Sequence, residues 1–167
     1  MKPNDILTEI GRRGVYLRRK MSKTAETKKC EKAIYRATAN KIGVYGCFEC
    51  TLGAGYGNER VDFITMDSKN IFRCYEIKVS ISDFNSRAKK SFCGDFNYFV
   101  MPEALYRELE DKSLLNPYLV SGIGIYAVND GASVVVKAKN KNIPLHRKVE
   151  LMHAMVRSLS RYTRIGE

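Results

Sequence analysis

The chain has 167 residues, of which 44% are hydrophobic, and its 29 Lys and Arg against 18 Asp and Glu give a net charge of +11. This length corresponds to one domain with a core of its own, which excludes a disulfide-stapled miniprotein. No segment approaches the roughly 20 apolar residues of a membrane span, and Asp5 and Glu9 stand where a signal peptide is apolar. We therefore expect a soluble cytoplasmic protein whose charge suits a polyanionic partner, such as nucleic acid or an anionic membrane surface.

The first third of the chain predicts two helices and a strand. A short helix is expected near residues 5–10. Ser22 or Thr24 can cap a longer helix that has apolar residues at helical spacing and a lysine-rich exposed side. Residues 44–52 are typical of a strand.

The central part predicts three strands, at 60–66, 71–79 and 96–101. Between the last two, Ser82 or Asp83 can cap a short basic helix. The basic residues of that helix are Arg87, Lys89 and Lys90.

The last third predicts a helix, two strands and a closing helix. Pro102 fits the first turn of a helix that ends near Asp111. Strands at 123–128 and 133–138 are joined across Asn129-Asp130-Gly131. The apolar stripe of the closing helix, expected to face the core, consists of Leu145, Val149, Met152, Val156, Leu159 and Tyr162.

This order of elements indicates a single α/β domain with a mixed sheet. We divide it into a basic N-terminal extension (1–23), a core (24–140) and a basic closing helix (141–167).

The charge is concentrated at the two ends of the chain. Residues 1–41 carry 12 Lys and Arg against 4 acids, residues 137–167 carry 8 against 2, and residues 42–136 carry 9 against 12. We expect the ends to contact phosphates while central carboxylates hold a metal ion. Any single basic cluster is more typical of a solvated face than of a binding site, so only the collective bias indicates binding. The candidate nucleic-acid-binding residues are Arg18, Arg19, Lys28, Lys29, Lys89 and Lys90.

The five cysteines predict free thiols rather than disulfides, because an odd number cannot pair fully and nothing marks secretion. Cys47 and Cys50 form one CxxC, but no second pair completes a zinc site. A strand is expected to send their sulfurs to opposite faces, so we interpret them as buried core residues.

Asp62, Glu76 and Lys78 are the residues most able to carry chemistry. Glu76 and Lys78 are two residues apart in an apolar strand, so both side chains lie on one face. If residues 67–70 form the turn of an antiparallel hairpin, Asp62 lies directly opposite Glu76. Their Cβ atoms are then roughly 5 Å apart.

Two neighbouring carboxylates in a mostly buried sheet are costly unless a cation joins them. Mg²⁺ takes oxygen ligands and is commonly held by one or two carboxylates with water and substrate phosphate. The ammonium of Lys78 can stabilise a hydroxide or the charge that builds on phosphorus. The pattern therefore favours metal-assisted phosphodiester hydrolysis, with a structural ion pair as the alternative. Glu49 and Glu31 could each add a carboxylate.

Asp62 followed by Glu76-Ile77-Lys78 resembles the PD-(D/E)xK signature of restriction-endonuclease-like nucleases. The longer run VDFITM…YEIKVSISDFNS…GDFNYFVMPEALY is similar to the phage-encoded and MmcB-like DNA-repair branch of that superfamily. The likeness covers roughly residues 44–128. The chain departs from the signature in one place, because Val61 stands before Asp62 where the name implies proline.

The resemblance implies a three-layer restriction-endonuclease-like fold and a site with defined roles. Mg²⁺ or Mn²⁺ would be held by Asp62, Glu76 and the main-chain carbonyl of Ile77, and Lys78 would position or activate water. The superfamily often adds an acid from the first core helix, where Glu31 would match. The MmcB-like pattern has it on the strand before the aspartate, and we favour that residue, Glu49.

We expect from these observations a metal-dependent nuclease that acts on DNA, with RNA as a further possibility, in repair, recombination or phage DNA metabolism. A homodimer is plausible because cutting a duplex requires two scissions. Two alternatives remain open: a non-catalytic nucleic-acid-binding module on the same fold, and an interaction protein for an acidic partner.

Overall fold

A six-stranded mixed sheet forms the centre of the molecule in the computed structural model, which describes residues 23–53 and 59–163. The strands are β1 (Val44–Thr51), β2 (Arg60–Asp67), β3 (Phe72–Ile77), β4 (Phe96–Pro102), β5 (Gly124–Val128) and β6 (Ala132–Val136). The helices are α1 (Ala25–Thr38), α2 (Ile81–Phe84), α3 (Glu103–Asp111), α4 (Asn116–Val120) and α5 (Leu145–Thr163). The helix expected near residues 5–10 lies outside the described residues.

The strands lie in the sheet in chain order, from β1 to β6. β1, β2 and β3 pair antiparallel, β3, β4 and β5 pair parallel, and β6 returns antiparallel to β5. Each parallel connection contains a helix, as crossovers between parallel strands usually do. The predicted α/β class with a mixed sheet flanked by helices is confirmed.

The hairpin of β2 and β3 has the predicted register. Phe63 lies opposite Tyr75, and the pairing continues to Met66 and Phe72. At the turn, Asp67 accepts hydrogen bonds from the main-chain N–H groups of Lys69 and Ile71, at 2.9 and 3.1 Å. A carboxylate that satisfies turn amides in this way holds the turn in place, and the turn sets the register.

Helix α1 begins where the sequence predicts. Thr24 is the N-cap, and its hydroxyl accepts a hydrogen bond from the Thr27 N–H at 3.1 Å. Cys30 and Ile34 are fully buried on the face toward the sheet. The helix packs over a core cluster that includes Phe63 and Tyr75.

The other face of the sheet is covered in two places. Helix α5 packs over a cluster that includes Ile64 and Cys74. Helix α3 packs over a cluster that includes Phe99 and Ile125. Because neighbouring residues of a strand point to opposite faces, Phe63 and Ile64 belong to different clusters. The result is three layers, with the sheet between α1 and the remaining long helices.

The predicted buried stripe of the closing helix is wrong. Leu145 is 75% exposed and Val156 is 59% exposed, whereas Leu151, Ala154 and Met155 are at most 3% exposed. The helix carries two apolar stripes, and the one that includes Leu151, Ala154 and Met155 packs on β1. On that stripe the buried hydroxyl of Ser158 accepts a hydrogen bond from the main-chain N–H of Thr51 at 3.2 Å. The side chain of Tyr162 lies outside the described residues.

The predicted basic helix after β3 is also wrong in its extent. Ser80 is the N-cap of α2, and its hydroxyl accepts a hydrogen bond from the Asp83 N–H at 3.1 Å. The helix ends at Phe84, so Arg87 and the two lysines after it lie in the following loop. Asp83 does not cap this helix, because its carboxylate accepts a hydrogen bond from the main-chain N–H of Val79 and pairs with Lys78.

The expectation that Cys47 and Cys50 point to opposite faces is wrong as well. Both are buried in the same core cluster. Between them Glu49 has φ +50°, a left-handed conformation that interrupts the alternation of the strand. All five cysteines are free thiols, as predicted. Among the described residues, no helix has the length and apolarity that crossing a membrane would require.

Candidate active site

Asp62 and Glu76 lie next to each other at one end of the hairpin. They continue the pairing of β2 and β3 one step beyond Phe63 and Tyr75. A carboxylate oxygen of Asp62, Oδ2, accepts a hydrogen bond from the main-chain N–H of Ile77 at 2.9 Å. This hydrogen bond holds the carboxylate of Asp62 against β3, which carries Glu76 and ends just before Lys78. The register of the hairpin places Asp62 beside the ExK pattern of Glu76 and Lys78.

Lys78 is buried with its ammonium between two carboxylates. Lys78 and Glu76 are each only 4% exposed. Lys78 Nζ lies 3.3 Å from Glu76 Oε1 and 3.6 Å from Asp83 Oδ1. Asp83 is itself held by the main-chain N–H of Val79, which donates to its Oδ2 at 3.2 Å. The lysine is therefore oriented by contacts on two sides.

Glu76 is held in a costly state. Its Oε2 is buried and has no hydrogen-bond partner among the described residues. Burial, and then the nearby charge of Asp62, raise the pKa of Glu76 to about 7. Burial also raises the pKa of Asp62, although the hydrogen bond from Ile77 works against it. An unsatisfied buried oxygen beside a second carboxylate is the arrangement that a divalent cation stabilises.

The donor set fits Mg²⁺ or Mn²⁺ rather than a softer metal, because it consists of oxygen. Within residues 23–53 and 59–163, no group of three or more His, Cys, Asp or Glu side chains is arranged to hold a metal ion. Asp62 and Glu76 would supply two carboxylate ligands to a cation at this position. Mg²⁺ commonly completes such a site with water and substrate oxygens.

Glu49 lies on the other side of Asp62. The pairs on either side of it in β1 and β2 are Phe48 with Phe63 and Cys50 with Val61, so Glu49 stands opposite Asp62. Its left-handed backbone costs on the order of 1–2 kcal/mol for a residue with a side chain. Backbone strain of this kind is concentrated at functional positions.

The carboxylate of Glu49 is paired with two cations. It lies 2.8 Å from Lys23 Nζ and 3.5 Å from Arg60 Nη1. Lys23 also pairs with Glu31 of α1. Burial acts to lower the pKa of Lys23, but its two carboxylate partners together raise it. Glu49 and Glu31 therefore share one lysine, and both remain candidates for the additional acid.

These side chains line one cavity of about 590 Å³ at the end of the hairpin. Its walls come from α1, β1, β2, β3, α2 and the loop after α2. Five carboxylates and four cations line it, so a substrate that is both anionic and metal-bound matches its lining.

The predicted nucleic-acid-binding residues are spread over several places. Lys28 and Lys29 lie on the exposed side of α1. Lys89 lines the cavity and pairs with Glu59. Lys90 Nζ instead lies over the rings of Phe84 and Tyr118, at 5.8 and 5.9 Å from their centroids. Arg18 and Arg19 lie outside the described residues.

Lys23 and Arg60 are the charged residues of the cavity lining that the sequence did not single out. Lys23 belongs to a lysine-rich segment in which no position stands out. Arg60 immediately precedes the motif and could have been noticed as a cation at the start of the strand that carries Asp62. Their contacts with Glu49 depend on how α1 and β2 meet, which the sequence pattern does not encode.

No protein-family model matches this chain, and no curated protein matches it. Among solved structures, a protein of unknown function from Silicibacter pomeroyi is similar to it, with a TM-score of 0.65 and 18% sequence identity. The similarity covers 84% of this chain and 90% of that one. At this identity the likeness shows the fold alone.

Proposed function

We propose that this protein is a restriction-endonuclease-like nuclease that hydrolyses phosphodiester bonds of DNA with the help of Mg²⁺ or Mn²⁺. The observation that carries the proposal is the convergence of Asp62, Glu76 and Lys78 in the lining of one cavity, where an oxygen of Glu76 is buried with no hydrogen-bond partner in the part of the chain that the structure describes. A cytoplasmic role in DNA repair, recombination or phage DNA metabolism fits this activity and the excess of positive charge.

In this proposal Asp62, Glu76 and the carbonyl of Ile77 would hold the metal ion. A bound ion would supply Lewis-acid stabilisation of a phosphoryl oxygen and would lower the pKa of a coordinated water. Lys78 places its ammonium beside the carboxylates and stabilises the negative charge that develops on phosphorus during attack. Asp83 keeps that ammonium oriented. Glu49 lines the other side of the cavity, where it can position the attacking water.

A non-catalytic binding module is the second candidate, because Lys78 and Glu76 also form a direct ion pair. In that case the two residues have only a structural role, as a buried ion pair. The two candidates differ in what happens when Lys78 is replaced. A module keeps its DNA affinity and has no cleavage to lose, whereas a nuclease loses cleavage while retaining the substrate.

The test uses purified full-length protein with single-stranded, duplex, flapped and branched DNA, in Mg²⁺ or Mn²⁺. Lys78→Met is expected to lower the cleavage rate by about 10²–10³-fold. Asp62→Asn is expected to abolish cleavage and weaken metal binding measured by calorimetry. Lys112→Met is the control, because Lys112 also pairs with a glutamate, at 2.7 Å, but is the C-cap residue of α3 and lies outside the cavity.

Binding of every DNA substrate without cleavage by the wild-type protein would favour the module. Cleavage that persists unchanged in Lys78→Met would show that Lys78 has no role in catalysis. If neither DNA nor RNA binds at low salt, the interaction protein for an acidic partner becomes the better hypothesis.

A further inference from the structure

A second groove lies on the far side of α1 from the cavity. It has a volume of about 370 Å³ and runs between α1 and the turn that joins β5 to β6. Lys29, Lys32 and Arg36 of α1 form its cationic wall. Its other lining residues are mostly small, namely Ala33, Ala37, Gly131 and Ala132. A floor of small residues lets another chain approach closely.

The three cations of this groove are available to a ligand. Lys29, Lys32 and Arg36 are exposed, and none of them forms an ion pair with another residue of the ranges 23–53 and 59–163. Lys32 stands three residues from Lys29 and four from Arg36, so like charges are neighbours on the helix and destabilise it slightly. Asp130 is the one acid among the groove's lining residues. A polyanion would relieve this repulsion.

The exposed side of α1 joins the groove to the cavity. Each residue turns the helix by about 100°, so side chains follow one another around it in a set order. Thr27 and Glu31 line the cavity, and Lys29 and Arg36 line the groove. Between these two pairs, going around the helix, lie Tyr35, Lys28 and Lys32 in that order. Lys28 and Lys32 lie one turn apart and, with the cations of the groove, form a band of positive charge on the exposed side of the helix.

Tyr35 adds an aromatic side chain to this band of cations, which favours nucleic acid over other polyanions. It is a large aromatic residue that remains 43% exposed beside the lysines. Proteins that bind single-stranded nucleic acid combine a positive track for the backbone with aromatic rings on which bases stack. The groove is at the small end of the range for ligand pockets, which suits a strand taken one nucleotide at a time rather than a duplex.

We propose that the exposed side of α1 and this groove bind a single-stranded segment of DNA that extends from the substrate held in the cavity. This inference rests on the proposed nuclease function and names its substrate class, DNA with a single-stranded extension. The phosphates contact Lys28, Lys32, Lys29 and Arg36, and a base stacks on Tyr35.

Binding is measured in EDTA, so that no cleavage occurs, with three fluorescent probes. They are a 20-nucleotide oligo-dT, a blunt duplex, and the same duplex with a single-stranded dT overhang. The test variant is the triple reversal Lys29→Glu, Lys32→Glu and Arg36→Glu. The control variant Lys69→Glu, Arg107→Glu and Lys112→Glu makes the same change in net charge at other exposed positions.

The wild-type protein is expected to bind oligo-dT and the overhang duplex more tightly than the blunt duplex. The groove variant should bind oligo-dT at least tenfold more weakly than the wild type. The slope of its log affinity against log salt concentration should be smaller in magnitude by about 2. The control variant should lose less than threefold. Tyr35→Leu should weaken oligo-dT binding about fivefold or more and leave the blunt duplex unaffected.

The inference is overturned if the wild-type protein does not bind oligo-dT, or if the groove variant loses no more affinity than the control. Should the groove variant fold poorly by circular dichroism, the neutral set Lys29→Gln, Lys32→Gln and Arg36→Gln replaces it and is expected to show a smaller loss in the same direction. Cleavage of the same probes in Mg²⁺ separates the two proposals. If binding depends on the groove but no cleavage occurs, the nuclease proposal is refuted and the groove proposal stands. If the probes are cleaved but the groove variant binds them as well as the wild type does, only the groove proposal is refuted.

Discussion

Replacing Glu76 by glutamine tests the electrostatic cost of the candidate site without reference to activity. Glutamine has nearly the same shape but no charge. The pKa of Glu76 is raised from 4.5 to about 7 in the folded protein, and the residue is only 4% exposed. A rise of this size corresponds to roughly 3 kcal/mol by which the ionised form destabilises the folded state.

The sign of the pH dependence follows from proton binding. Between pH 4.5 and about 7 the folded protein holds a proton on Glu76 that the unfolded chain has lost. The contribution of this residue to the free energy of unfolding therefore decreases as the pH rises through this window. In Glu76→Gln this decrease is absent. The stability of the variant relative to the wild type should increase by roughly 2–3 kcal/mol between pH 5 and pH 8.

The assay is urea denaturation of both proteins at pH 5 and pH 8 in buffer with EDTA. Glu108→Gln is the control, since it removes one exposed carboxylate on α3 and makes the same change in net charge. If the difference in unfolding free energy between Glu76→Gln and the wild type were the same at both pH values, Glu76 would not be held in an unfavourable charged state. A divalent cation at this position would then relieve no electrostatic cost.

Three further predictions concern the ion and the backbone. Adding Mg²⁺ is expected to raise the melting temperature of the wild type more at pH 8 than at pH 6 and to leave Glu76→Gln unaffected, because binding must displace the proton of Glu76; an equal rise in both proteins would place the ion elsewhere. Glu49→Gly should be about 1 kcal/mol more stable than Glu49→Ala by urea denaturation, since only glycine adopts φ +50° without cost, and the reverse order would contradict the strain at this position. Asp95 is fully buried and accepts hydrogen bonds from the N–H groups of Phe72 and Ile143, at 2.9 and 3.1 Å. Asp95→Ala should lower the free energy of unfolding by about 2–4 kcal/mol because these donors lose their partner, and a loss below 1 kcal/mol would show that water replaces it.

Local features of the sequence were sufficient to predict much of the candidate site. The turn at 67–70 determines how β2 pairs with β3, and that register places Asp62 beside Glu76. The period of two along a strand then places Lys78 on the side of Glu76. Thr24 begins α1 through its own hydroxyl. Each of these depends on residues that are close in the chain, so the pattern contains the information.

The tertiary structure decided what depends on distant partners. Two apolar stripes on α5 look equivalent in the sequence, and the burial of Ala154 and Leu151 against β1 selects one of them. The left-handed backbone of Glu49 and its pairing with Lys23 arise where β1, β2 and α1 meet. Sequence spacing determines which residues share a strand or a helix face. Which face is buried, and which charges meet across elements, is determined by how those elements pack.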